Sequence, residues 1–256
     1  MAKRKDKDAP PRALFTDEQL AAMSAHELAR VRLRDDEVRR LRAMNDERHR
    51  QAAARGVRLD AEQALLLAEL RALGLPLRWL DDLDLKAPAG EAAATVLLRH
   101  LQLPYSSATK ARIAHLLSVP VPAVRKAWPL LVREYADART GSGIIAPGDT
   151  LELPYPEKDA LANALAAAVT NRTLGDLVDL VRDRSHGESR ILLLSPLFRR
   201  RNRDETVTTL LDHLAEDPEL ATEIGARRAR CDKAARAAPR RAAVVLFPAA
   251  ARSADG

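Results

Sequence analysis

The sequence is poor in the residues from which most catalytic and metal centres are assembled. It holds a single cysteine, Cys231, among 256 residues. One thiol excludes an intramolecular disulfide and a cysteine zinc cluster. It suits a reducing, cytoplasmic compartment, with a plain surface thiol as the other reading. Aromatic residues make up only 3% and glycines number 10, so the apolar content rests on leucine, alanine and valine, the composition of a helical protein. No apolar run approaches the roughly 20 residues needed to cross a bilayer. Met1-Ala2-Lys3-Arg4-Lys5 leads into charge and not into a signal core, so no membrane partner is expected.

Chemistry-bearing patterns are equally scarce. The histidines His26, His49, His100, His115, His186 and His213 show no pair at metal-ligand spacing with a carboxylate. Gly141-Ser142-Gly143 is too short for a phosphate cradle and is not set between a strand and a helix. No serine sits in a Gly-x-Ser-x-Gly nucleophile elbow, and adjacency alone does not aim Ser185 at His186. No catalytic residue, cofactor, metal or small-molecule ligand is predicted, and the chain reads as non-catalytic.

What is present is helical periodicity. Leu161, Leu165 and Val169 recur every four residues within Asp159 to Val169, and alanine fills the rest, allowing close helix contact. Leu174, Leu177, Val178 and Val181 mark a second helix, started near Thr173 and stopped before Gly187. Ile191, Leu192, Leu194, Leu197 and Phe198 form a third apolar run, and Val207, Leu210, Leu211 and Leu214 a fourth. Helices this short are marginal alone, so they must bury their stripes against one another. Helix and turn alternating at a period of about 40 residues or less is the mark of an α-solenoid.

The junction Arg182-Asp183-Arg184-Ser185-His186-Gly187-Glu188-Ser189-Arg190, the upstream Ala162-Asn163-Ala164-Leu165 and the closing Asp217-Pro218-Glu219-Leu220 resemble bacterial HEAT-repeat domain proteins. The likeness covers roughly 59–226. It implies an all-α fold, a short right-handed α-solenoid of antiparallel helix pairs that binds other macromolecules without catalysis. Two features depart from the family: Pro196 interrupts the third helix, and Arg199-Arg200-Arg201-Asn202-Arg203 fills a turn that is usually short. HEAT-like solenoids include DNA-repair glycosylases, but those need a catalytic acid among aromatics in a basic cleft, which 3% aromatic content does not favour.

Upstream, Thr16 with Gln19 and Ser24 with Glu27 fit reciprocal helix caps. One long charged helix is expected from Ser24 to about Arg55, ended by Gly56, with Asp35–Arg39 and Asp36–Arg40 as supporting pairs. It is either an arm that pairs with another helix or a solvated lead-in. An apolar helix follows from Leu59 to Leu73, and Trp79, Leu80, Leu83 and Leu85 are expected to seal the solenoid's end. Ala89 to Leu101, Ser107 to Val119 and Val121 to Ala138 continue the alternation, Pro129 kinking the last. Trp128 is either core or a stacking platform. Residues 140–156 read as a small β-hairpin or protruding loop, on a binding face or simply connecting two halves.

The formal charge of +6 sits at the ends. Residues 225–256 carry eight basic and two acidic side chains (8 − 2 = +6) and residues 1–12 five and two (5 − 2 = +3), leaving 13–224 at −3. The expected division is a disordered basic segment 1–15, a helical arm 16–56, a repeat domain 57–225 and a disordered Ala/Arg-rich tail 226–256. The leading function is a scaffold or adaptor for a protein partner. The alternative is a nucleic-acid-binding protein using the basic termini and the Arg199 to Arg203 cluster. A catalyst of unrecognised geometry is the third class. Arg182, Arg184, His186 and Arg190 are expected either to line a rim that grips an acidic surface or to bridge adjacent repeats.

Overall fold

A computed structural model describes residues 14–237. Their elements are twelve α-helices, two short 3-10 segments and one two-stranded antiparallel sheet. The chain divides into two compact units that interleave in sequence, Met1–Ile113 with Arg139–Glu157, and Ala114–Ala138 with Lys158–Gly256.

The first unit begins with α1 (Asp17–Ala22) and α2 (Ala25–Arg30), and both expected caps form. Thr16 and Gln19 exchange hydrogen bonds, as do Ser24 and Glu27. The single helix expected from Ser24 to Arg55 is instead broken. Residues 31–34 are non-helical, and α3 (Asp35–Ala72) starts afresh and runs for 38 residues, straight through Gly56. Buried Glu37 explains the restart. Its carboxylate accepts the backbone N–H of Arg34 at 2.8 Å and that of Phe15 at 2.8 Å, fixing the helix start to the segment before α1. Arg40 donates to Asp17 and to the Phe15 carbonyl, each at 2.8 Å. Gly56 lacks the positive φ of a helix stop, and the apolar sequence after it continues the same backbone ladder.

At its end α3 buries Leu66, Leu67 and Leu70, and the helix stops at Leu73 before Gly74, whose φ of 81° only glycine adopts readily. Leu80, Leu83 and Leu85 are buried as expected, whereas Trp79 lies on the surface against Arg78, 44% exposed. The unit is completed by α4 (Gly90–Leu101), the start of α5 (Ser107–Leu116) and a hairpin of β1 (Ser142–Gly143) and β2 (Leu153–Pro154), paired Ser142 with Pro154 and Gly143 with Leu153. The hairpin is held to the unit through its backbone. Ala108 N–H donates to the Ile145 carbonyl at 2.9 Å, and Arg58 donates to the Pro147 carbonyl.

The second unit contains α6 (Pro122–Lys126), α7 (Trp128–Asp137), α8 (Glu157–Ala168), α9 (Leu174–Arg182), α10 (Arg190–Arg200), α11 (Glu205–Leu214) and α12 (Pro218–Ala237). Pro129 kinks nothing, because the helix has already ended at Ala127. The proline takes the second position of α7, where no intrahelical partner awaits its missing N–H. Trp128 is core, 4% exposed, and its indole N–H donates to Asp176 at 3.0 Å. Leu161, Leu165, Leu177, Val181, Leu194, Leu197, Val207, Leu211 and Leu214 are buried as their spacing predicts. Helix α10 touches α9, α11 and α12.

Pro196 does not interrupt α10. The helix passes through it with only the Leu192 carbonyl losing its intrahelical donor, and Arg227 of α12 packs alongside, donating to the Ile191 carbonyl at 3.3 Å and to Ser195 Oγ at 2.9 Å. The tail expected from 226 onward is helical as far as Ala237. Three of its arginines are tied down, Arg227 and Arg230 to Glu223 at 2.6 and 2.9 Å and Arg228 to Asp212 at 2.6 Å. Residues 1–13 and 238–256, which carry further basic residues, lie outside the described residues.

Candidate functional site

Two basic groups in the second unit, seven arginines and His186, include all eight sequence-predicted site residues, and they fare differently. The first is the junction between α9 and α10. Asp183 begins a short 3-10 segment by accepting the Ser185 N–H at 2.9 Å. Gly187 then reverses the chain with φ 61° and ψ −148°, a region essentially closed to other residues. That reversal brings Arg190 inward. Its side chain is fully buried and donates to the Val181 carbonyl at the end of α9 (3.1 Å), to the Gly187 carbonyl (3.1 Å), to Asp217 (3.0 Å) and to Glu219 at the start of α12.

His186 is buried as well, its ring 4.5 Å from that of Tyr135 and its Nδ1 without a hydrogen-bond partner among the described residues. Burial, and secondarily the Lys158 ammonium, push the imidazole below its ordinary pKa, while Asp183 pulls it back. Tyr135 hydrogen-bonds Ser189 at 2.7 Å, and burial raises its phenol to about 12. Hence neither Arg190 nor His186 can grip a partner. Of this predicted group only Arg182 and Arg184 face solvent, and Arg184 is engaged with Asp217 at 3.1 Å. The bridging alternative describes Arg190, which satisfies a helix-end carbonyl and links α9 to α12.

The second group is the run from Arg199. The sequence brings it to the C-terminal turn of α10 and the connection to α11. There Arg199, Arg200 and Arg203 share a cavity of about 470 Å³ with Arg125 of α6, against apolar walls from Pro120, Ala167 and Val169. Arg199 Nη2 donates to the Ala166 carbonyl at 3.0 Å and Arg200 Nη1 to the Pro196 carbonyl at 3.2 Å, so both guanidiniums are placed by backbone. Arg125 and Arg203 are exposed, and among the described residues no carboxylate pairs with their guanidiniums. The fourth arginine of the run, Arg201, leaves the cavity and packs over Phe198, 5.9 Å from the ring centroid. No protein-family model, curated protein or solved structure matches the chain. The reading of the site therefore rests on its own geometry.

A cavity of about 430 Å³ in the first unit provides the contrast. It lies between Arg48, Arg55 and Arg58 of α3 and the hairpin loop, but Asp149, nearly buried, ion-pairs with Arg55 at 3.2 Å and Arg58 at 3.6 Å. Two of its three arginines thus share an internal carboxylate. In the same unit buried His100 lies between Glu69 (2.9 Å) and Tyr105 (2.8 Å), a carboxylate–imidazole–phenol chain that fastens α4 to α3. The His100 bond, before the neighbouring Arg99, holds the Glu69 carboxyl below its usual range.

Arg125 was missed by sequence reasoning. Only its place beside Lys126 on a proline-started helix marks it, and its distance along the chain from Arg199 hides their meeting. Among the described residues no group of three or more His, Cys, Asp and Glu side chains is placed to hold a metal ion. None of the described helices is long and apolar enough to cross a membrane.

Proposed function

We propose that this chain is a non-catalytic scaffold or adaptor whose second unit is built from HEAT-like helix pairs, α9 with α10 and α11 with α12, and docks an acidic protein partner. The observation that carries this reading is the contrast between the two arginine groups. Arg190 spends its guanidinium holding one helix pair to the next, whereas Arg125, Arg199, Arg200 and Arg203 converge on a cavity with no carboxylate among its lining residues. A stable fold gains little from leaving four like charges together, while a docking surface gains bidentate donors for carboxylates. The recurrent turn chemistry supports the repeat reading. Asp183, Asp204 and Asp217 each accept the N–H two residues on, opening a new helical segment every time.

A photo-crosslinking residue at Pro120 tests it. An acidic protein should be captured in native lysate, with capture suppressed by high salt. Capture of no protein at any salt concentration contradicts the reading.

Nucleic acid is the second reading, favoured by the same uncompensated arginines. Anisotropy with duplex and single-stranded probes across a salt series decides it. Phosphate contacts release counterions, so affinity must fall steeply with salt, and flat or absent binding eliminates this reading.

A further inference from the structure

The sequence predicts no small-molecule ligand, yet the arginine cavity has the chemistry of an anion site. We propose that it takes a diphosphate-class anion, a compact ligand bearing two linked phosphates. The inference rests on reading this cavity as a binding face, though not on the docking partner being a protein.

Charge sets the class. Four arginines line the cavity and no acidic residue does. A monophosphate would answer at most two of those charges, whereas a diphosphate answers three to four. Geometry agrees with charge. Arg199 and Arg200 are anchored to backbone carbonyls, each through one nitrogen, leaving further N–H groups with fixed origins. Arg125 and Arg203 have no side-chain bond among the described residues and belong to separate elements, one to α6 and one to the turn after α10. Two anchored and two movable donors make a clamp in which each phosphate receives a guanidinium fork. The walls, Pro120 and Val169 among them, supply no carboxylate to compete. The volume of about 470 Å³ also admits a ligand larger than a single phosphate. The hydroxyl of Ser118, at the cavity edge, already donates to the Ala114 carbonyl at 3.1 Å, so the arginines carry the recognition.

Calorimetric titration of inorganic pyrophosphate into the full chain tests the proposal, with inorganic phosphate and sulfate as comparisons. Saturable one-to-one binding of pyrophosphate is expected, at least about tenfold tighter than phosphate, because two more charge-assisted contacts form. Arg125→Glu with Arg203→Glu should weaken it by about a hundredfold, roughly tenfold for each reversed charge, with the melting temperature unchanged because neither side chain holds the fold. Arg125→Gln with Arg203→Gln, which adds no acidic group, should give a smaller loss in the same direction. Absence of pyrophosphate binding, equal affinity for phosphate, or binding unaffected in both double variants overturns the proposal. Failure of pyrophosphate binding while Pro120 crosslinking persists would remove this inference alone. Pyrophosphate binding without any protein capture would remove the docking reading alone.

Discussion

Arg190 and Arg184 stand six residues apart and both reach Asp217, yet they should behave very differently when changed. Arg190 is fully buried, so Arg190→Met strands the Val181 carbonyl and part of the Asp217 carboxylate, a loss of about 3 kcal/mol in denaturant unfolding. Arg184→Ala removes an ion pair whose arginine is 72% exposed, with an expected loss below about 1 kcal/mol. Equal effects would contradict the assignment of Arg190 as the tie between helix pairs. His186 gives a pH prediction. Its pKa is lowered by burial, so the unfolded chain takes up the proton near pH 6.5 while the folded chain resists it. The stability tied to the neutral ring is therefore complete above about pH 6.5 and is lost as pH falls toward the lower folded value. His186→Phe should flatten the fall in melting temperature between about pH 7 and pH 5, and an unchanged slope would show that the ring titrates alike in the folded and unfolded chains. The sequence made residues 182–190 conspicuous but left two meanings open, because a buried bridging arginine and a surface arginine have the same letter. Only the reversal at Gly187 and the position of Asp217 distinguish them.

At the scale of elements, periodicity located most helices, and the errors lie where one residue was allowed to decide. Gly56 was read as a stop because glycine commonly ends helices. Its backbone here stays in the helical region and a built Cβ meets nothing within 4 Å. Gly56→Ala should thus stabilise the chain by about 0.5–1 kcal/mol, measured by denaturant midpoint, whereas a destabilising effect would argue for a true break in α3. Pro196 misled in the same way. A proline in a helix interior removes one bond, here the one to the Leu192 carbonyl, yet α10 continues through it, held by contacts with α12 such as Arg227 to Ile191, 36 residues apart, which no local pattern reveals. The break at 31–34 was invisible for the opposite reason. Its cause is Glu37, whose carboxylate accepts an amide 22 residues earlier as well as the one at its own helix start.

For the whole molecule, net charge proved a blunt guide. Much of the basic character of residues 227–230 is paired with Glu223 and Asp212, so composition overstates what that stretch offers a partner. The uncompensated charge that structure reveals is smaller and more local, in Arg125, Arg199, Arg200 and Arg203. Three of the four were legible in the sequence as a run, and the fourth required the fold to bring α6 beside the end of α10. The direct measurement is quantitative capture of protein from native lysate by the full chain and by its Arg125→Glu, Arg203→Glu variant at matched melting temperature. Loss of an acidic partner from the variant, by at least about tenfold, is the expected result. An identical set of proteins captured in identical amounts by both chains would contradict docking at the arginine cavity.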